Sequence, residues 1–188
     1  MQESMLFLMQ AFVVAIFIIA IILVTQFNSF FSMGLVLSAV VLSSVGIYIG
    51  ILVHNMAFGI VMGGIGVIAL AGIIVSNNIL LIDTYDLLIA EVKNPTLAQY
   101  REVIIRTCIQ RVRPVILTKL ATILGLLPLV LGINIDFVNF EITQGAPSTQ
   151  WWRLLSVCIV YGVLFASSLT LLVTPAALMW RAMRRTRK

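Results

Sequence analysis

The sequence contains very little charge. Only 10% of its 188 residues are Asp, Glu, Lys or Arg, whereas 61% are hydrophobic, and the mean hydropathy is +1.13. A soluble domain carries about 25% charged residues, and a chain of this length cannot bury so much apolar surface away from water. The composition therefore excludes a soluble globular domain and indicates a protein whose main solvent is lipid.

Residues that perform catalysis or bind metals are also scarce. The chain has one histidine, His54, and two cysteines, Cys108 and Cys158, without the spacing of a metal site or a disulfide framework. His54 lacks a partner nearby and is interpreted as a residue of the membrane interface. The H-E-x-x-H and G-x-S-x-G motifs are absent. We expect no enzyme activity, no catalytic or metal-binding residues and no cofactor.

Long hydrophobic runs dominate what is present. Each holds about 20 or more residues, enough to cross about 30 Å of hydrocarbon as a helix. The runs are continuous and lack the alternating polarity of a membrane β-barrel. The sequence therefore predicts an all-α polytopic membrane protein with five transmembrane helices, at about 5–25, 33–53, 58–82, 114–133 and 154–180.

The polar stretch between the third and fourth spans has helical features of its own. Asn94-Pro95-Thr96 is typical of a helix start. Leu97, Ile104 and Cys108 follow at helical spacing, with Arg101 interrupting the apolar face. We expect a short helix that lies on the cytoplasmic surface, after which Pro114 opens the fourth span.

Small residues within the spans predict close helix packing. Gly59 and Gly63 have the G-x-x-x-G spacing, which lets helix backbones approach one another in lipid. The fifth span carries a stripe of small or polar residues at every fourth position: Cys158, Gly162, Ala166, Thr170 and Thr174.

Polar residues within the spans are candidates for function. Ser76, Asn77 and Asn78 are consecutive, so at least one must face another helix or water. A functional role and a structural interhelical hydrogen bond are both compatible with this pattern. Lys119 is the one charged residue clearly inside a span, and its side chain is long enough to extend towards the cytoplasm.

Several segments resemble resistance-nodulation-division (RND) efflux permeases over essentially the whole chain. Residues 111–129, RVRPVILTKLATILGLLPL, closely resemble the start of their eleventh transmembrane helix, and 72–85, GIIVSNNILLIDTY, resemble the tenth. Residues 145–152 and 169–175 are similar to the passage into the twelfth helix, and 25–31 to the turn after the eighth.

The resemblance implies the membrane part of a proton-driven transporter that exports drugs or other amphiphilic compounds. It also implies a homotrimer in a bacterial inner membrane, with a periplasmic adaptor, an outer-membrane channel and no nucleic acid. The chain would be the C-terminal transmembrane half, residues 1–188, without the porter domains and with the remainder of the permease as a partner. A complete small membrane protein, or a non-transport scaffold or lipid-sensing relative, is the alternative.

The resemblance also implies candidate residues for a proton relay. Arg111 and Thr118 match the family's arginine and threonine on the eleventh helix, and Asn77 matches the asparagine that follows the relay lysine. Ser76 stands where many members have that lysine, which departs from the pattern, and Lys119 is the rival candidate for the missing charge. The acidic pair of the relay would lie upstream of this chain, which we expect to be inactive alone.

The basic residues predict the orientation of the chain. Ten of the twelve lie in two segments, residues 83–113 and the tail from Arg181, which are separated by two membrane crossings. Segments rich in Lys and Arg remain in the cytoplasm, so the N-terminus is predicted to be periplasmic and the C-terminus cytoplasmic.

Cysteine labelling checks this topology. In a background that lacks Cys108 and Cys158, a membrane-impermeant thiol reagent applied from the periplasmic side should label a cysteine at position 145. A cysteine at position 97 should stay unlabelled until the membrane is permeabilised. Labelling of position 97 from the periplasm would contradict the predicted orientation.

Overall fold

A computed structural model describes residues 2–92, 96–136, 141–145 and 147–186. Within these residues, five helices are long and apolar enough to cross a membrane. The predicted all-α class with five transmembrane helices is therefore confirmed. In chain order they are α1 (Gln2–Phe27), α2 (Phe30–Val53), α3 (Ile60–Ala90), α4 (Leu97–Leu131) and α5 (Pro147–Thr186).

The last helix, α5, forms the centre of the bundle. It packs against α2, α3 and α4, whereas α1 packs mainly against α2 and α3 and exposes most of its apolar side chains. The main core combines apolar residues of α2, α3 and α5, among them Val36, Ile47, Leu70, Ile74 and Val163. The predicted stripe of α5 is confirmed as a packing surface, because all five of its members are buried: Cys158, Gly162, Ala166, Thr170 and Thr174.

The closest helix approaches occur at glycines other than the predicted pair. Gly59 caps the start of α3 beside Leu154, and Gly63 faces the ring of Phe58 from its own connecting segment. By contrast, a Cβ at Gly46 would lie 2.5 Å from Phe165 Cβ and 2.8 Å from the carbonyl oxygen of Tyr161. Gly46 of α2 therefore allows α5 to pack against the backbone of α2, whereas at Gly59 the nearest atom of α5 belongs to the side chain of Leu154.

The helix predicted on the cytoplasmic surface is not a separate element. It is the first part of α4, which continues through Pro114 to Leu131. Its buried residues there, Tyr100, Val103 and Ile104, pack in part with Leu81 of α3 and Leu178 of α5. Protein contacts thus cover Ile104 and part of Cys108 on the predicted apolar face, whereas Leu97 is exposed. Proline lacks one intrahelical donor and crowds the carbonyl four residues earlier, yet α4 continues through Pro114.

Capping fixes the two ends of α4. The helix begins at Leu97, and the Gln99 side chain accepts a hydrogen bond of 2.8 Å from the backbone N–H of Thr96. Asn94 and Pro95, the other residues of the predicted start, lie outside the described residues. At the other end Gly132 adopts a left-handed conformation with φ of 72°, which a residue without a Cβ accommodates readily.

A short antiparallel ribbon connects α4 to α5. Strand β1 (Ile133–Asp136) pairs with β2 (Glu141–Gln144), with Ile133 opposite Gln144 and Asp136 opposite Glu141. The sequence analysis did not foresee these strands. They extend the connection beyond the spans without changing the all-α character of the bundle.

Replacement of Gly46 by alanine should destabilise the protein. The added methyl group overlaps the α5 backbone at Tyr161, which cannot move aside as a flexible side chain can, and overpacking of this kind costs about 1–3 kcal/mol. Thermal unfolding in detergent should therefore show a lower midpoint temperature for Gly46→Ala.

Gly34→Ala is the matched control. Gly34 lies in the same helix, and a Cβ there meets nothing within 4 Å. Both exchanges bring the same gain in helix propensity, about 1 kcal/mol. Equal midpoint temperatures for the two variants would contradict the close approach at Gly46.

Candidate functional site

The three consecutive polar residues of α3 have different surroundings. Ser76 is exposed, and its hydroxyl donates to the carbonyl of Ile73 at 3.0 Å. Asn77 is half-buried, whereas Asn78 is only 1% exposed. This follows from helical geometry, since consecutive residues point about 100° apart. Asn78 therefore lies in the interior of the bundle, and Ser76 lies on the surface that the described helices leave uncovered.

Asn78 makes the structural contact that the sequence pattern left open. Its side-chain oxygen accepts a hydrogen bond of 3.2 Å from the hydroxyl of Thr174, and its nitrogen donates to the carbonyl of Ile74 at 3.1 Å. Both side chains are buried, so the bond links α3 to α5 where water is excluded. The sequence analysis treated Thr174 only as a packing residue. Because both residues lie within spans, where polar groups need partners inside the protein, the sequence could have indicated a hydrogen bond between them.

Arg111 is bound to a residue that the sequence analysis did not single out. Its Nε donates to the hydroxyl of Thr84 at 2.5 Å, and that hydroxyl donates to the carbonyl of Leu80 at 2.7 Å. A hydroxyl can donate once and accept at the same time, so Thr84 holds the guanidinium without loss of its own hydrogen bond. Among the described residues Arg111 contacts no carboxylate. Its positive charge is positioned but not neutralised by this part of the chain.

The Arg111–Thr84 bond sets the depth of α3 relative to α4. The two helices follow each other in the chain and run in opposite directions. Ser76 lies eight residues before Thr84 and Thr118 seven residues after Arg111, which correspond to about 12 Å and about 10.5 Å of rise. Ser76 and Thr118 therefore lie at similar depth. Both are exposed, and each hydroxyl donates only to a carbonyl of its own helix.

Lys119 points away from the surface that carries Thr118. It is only 6% exposed, and it lies on the buried side of α4 between Val115 and Ile123. That side packs against α5, as the cluster of Val130 and Ile123 with Val157 and Val160 shows. No hydrogen bond or carboxylate partner for Lys119 is present among the described residues. Arg111 and Thr118 are seven residues apart and share one face of α4, whereas Lys119 points about 100° away from Thr118, towards the buried side.

The remaining chemically active side chains form no second site in the part of the chain that is described. His54 ends α2 and meets the ring of Tyr161 edge-on at 5.5 Å, with its Nε2 buried and lacking a hydrogen-bond partner. Cys108 and Cys158 are free thiols on different helices. Within the described residues, no three His, Cys, Asp or Glu side chains are grouped so that they could hold a metal ion.

Comparison with known proteins gives consistent matches. Residues 1–181 match the AcrB/AcrD/AcrF family. The chain is 31% identical over 186 residues to Multidrug resistance protein MdtC of Edwardsiella ictaluri (strain 93-146), covering 99% of this chain and 16% of that protein. It is also 31% identical over 188 residues to Multidrug resistance protein MdtC of Pantoea ananatis (strain AJ13355), covering 100% of this chain and 16% of that protein. The chain therefore spans 16% of the length of these curated relatives.

An experimentally determined structure has a similar fold. An X-ray crystal structure of a heavy metal efflux pump superposes with a TM-score of 0.70 over 88% of this chain and 14% of that chain, at 24% sequence identity. At this identity the similarity shows the fold alone. Together with the family match over residues 1–181, it agrees with five apolar helices arranged around α5. The chain is a membrane protein that belongs to the AcrB/AcrD/AcrF family of RND efflux permeases.

Proposed function

We propose that this chain forms the membrane-embedded C-terminal part of a proton-driven permease that exports drugs or other amphiphilic compounds. Family membership over residues 1–181 supports the transport class, and the names of the two curated relatives support drugs as the cargo. The five helices would correspond to the eighth to twelfth helices of such a permease. The porter domains and the other membrane helices would belong to the remainder of the protein.

The observation that carries the proposal is the surface formed by Ser76, Asn77, Arg111 and Thr118, which we call the polar seam. Arg111 is fixed to α3 by Thr84, and Ser76 and Thr118 lie at similar depth without cover from the described helices. In the hydrocarbon region, polar side chains face protein or water rather than lipid. The polar seam is therefore where a further membrane helix of the permease would pack.

A carboxylate on that further helix would give the polar seam its function. Arg111 carries a guanidinium group, which acts as a fixed positive charge. An ionised carboxylate is attracted to this charge, whereas a protonated one is not. Proton binding would thereby change how strongly the two groups of helices are held together. The hydroxyls of Thr118 and Ser76 would orient the carboxylate by hydrogen bonds, with the proton as coupling ion and no cofactor.

The proposal also covers location and partners. We place the protein in the bacterial inner membrane with its N-terminus in the periplasm, because the basic segments fall at the opposite end of the spans. The working assembly would be a homotrimer that joins a periplasmic adaptor and an outer-membrane channel. These partners follow from the family to which the chain belongs.

The chain by itself should not transport. None of its five predicted spans contains an Asp or Glu, and proton coupling needs a group that gains and loses a proton at the working pH. The purified chain in lipid vesicles with an imposed pH gradient should show no substrate-dependent proton flux, measured with an internal pH dye. Flux above that of empty vesicles would contradict this prediction.

Replacement of Arg111 by alanine in the full-length protein should reduce export at least tenfold at unchanged expression. Hydrogen bonds to charged groups contribute about 1.5–3 kcal/mol, which corresponds to tenfold or more. Thr84→Val should reduce export less, because it removes only the anchor of the guanidinium. Ser76→Ala should have a still smaller effect, since a neutral hydrogen bond contributes about 1 kcal/mol. Drug susceptibility and dye efflux measure these changes.

Arg113→Ala is the matched control. Arg113 is exposed, lies two residues from Arg111 and carries the same charge, so its loss should leave export near the wild-type level. If Arg111→Ala and Thr118→Ala both retained wild-type export, the polar seam would not be the coupling element. Lys119 would then be the next residue to replace.

A further inference from the structure

An arginine–aromatic cluster lies at the end of α5 and shares no residue with the polar seam. It consists of Phe31 at the start of α2 and Trp180, Arg181 and Arg184 near the end of α5. The rings of Phe31 and Trp180 lie 6.3 Å apart, and Arg181 Cζ is 5.5 Å from the centroid of Phe31. The Cζ atom of Arg184 is 3.7 Å from the centroid of Trp180. The two guanidinium groups are therefore held in place by aromatic rings.

The charge of this cluster is not neutralised by the described part of the chain. Arg181 donates a hydrogen bond of 3.4 Å to the buried hydroxyl of Ser32, and Arg184 contacts the face of Trp180. Neither arginine forms a salt bridge with a carboxylate among the described residues. A ring face attracts a cation but carries no net charge. Two positioned positive charges thus remain available to an anion.

The location of the cluster indicates which anion. The 27 residues from Leu154 to Trp180 contain no charged side chain, so Arg181 is the first charge at the end of this span. Tryptophan and arginine at the end of a span lie at the level of the lipid headgroups. An anion at this depth is the phosphate of a phospholipid, and Arg binds phosphate with two parallel N–H donors.

The surface of α5 beside the cluster suits an acyl chain. Leu172, Val173, Ala176 and Trp180 are exposed and recur at helical spacing along one side of the helix. Leu172 is 72% exposed and Trp180 46% exposed. This apolar strip leads directly to Arg184. One molecule with a negative headgroup and a hydrocarbon tail would contact the guanidinium groups and the strip together.

From this arrangement we infer that Arg181 and Arg184 form a binding site for the phosphate headgroup of an anionic phospholipid, whose acyl chain lies along the strip from Leu172 to Trp180. The site would tie the end of α5 and the start of α2 to the same lipid molecule. Phosphatidylglycerol should bind there in preference to phosphatidylcholine, because the trimethylammonium group of the latter cancels the charge of its phosphate. The site is independent of the proposed proton coupling.

Photo-crosslinking in vesicles tests this inference. The full-length protein is reconstituted in equal amounts of phosphatidylglycerol and phosphatidylcholine, with a photoactivatable analogue of one or the other at trace level. Mass spectrometry then quantifies both labels on peptides within residues 172–184. We expect the phosphatidylglycerol label to exceed the phosphatidylcholine label. Arg184→Ala should lower this ratio about fivefold, the usual contribution of one arginine near an anionic surface.

Controls make the outcome decisive. Arg184 is exposed and contacts the ring of Trp180, so Arg184→Ala leaves the link between Arg181 and α2 intact and should fold normally, as circular dichroism would verify. R101A/R106A removes two exposed basic residues of α4 and should leave the ratio unchanged. An equal loss in R101A/R106A would show a diffuse charge effect and overturn the inference. So would equal labelling by the two lipids in the wild type, or loss of the preference on addition of inorganic phosphate.

Discussion

The hydrocarbon interior of a membrane offers no partners for hydrogen bonds, and the rest of this structure depends on that constraint. Among the described residues, many polar groups within the spans are paired inside the protein or lie where another protein segment could cover them, whereas Lys119 is buried without a described partner. Helices satisfy the backbone, and serine and threonine hydroxyls such as those of Ser43, Thr107 and Thr118 donate to carbonyls of their own helix. Hydrogen bonds between helices are therefore few, and each fixes the relative position of two elements.

Three such bonds tie α5 to its neighbours at different depths. Arg153 Nε donates to the carbonyl of Val130 near the end of α4, at 3.1 Å. Thr174 bonds to Asn78 of α3, and Arg181 bonds to Ser32 of α2. Small residues such as Gly46 then let α5 pack closely against α2. Helix α5 is consequently the central helix of the described bundle, and the arginine–aromatic cluster lies at its end. The polar seam is formed by α3 and α4, where Thr84 holds Arg111.

Properties set by the membrane could be predicted from the sequence, whereas properties set by the packing of distant helices could not. The five helices follow from the length and hydrophobicity of the runs, since 20 apolar residues leave the chain few alternatives in lipid. The short surface helix expected between the third and fourth spans is not confirmed, because local amphipathic spacing does not tell whether the segment forms a separate helix or the first part of α4. Gly59 and Gly63 contact side chains, at Leu154 and Phe58, rather than a neighbouring backbone. A glycine spacing indicates that close approach is possible, but only the arrangement of helices shows that the approach occurs at Gly46.

By itself, the sequence determined that the chain is embedded in lipid and how many spans it has, because composition and local spacing encode these properties. It also determined that polar residues occur at 76–78, 111, 118 and 119. Only the tertiary structure decided what each of these residues does. It directs Asn78 inward to Thr174, binds Arg111 to Thr84, leaves Thr118 exposed and buries Lys119. Neighbouring positions on a helix differ by about 100° in direction. Their surroundings are therefore set by distant segments, and 96 residues separate Asn78 from the threonine that it binds.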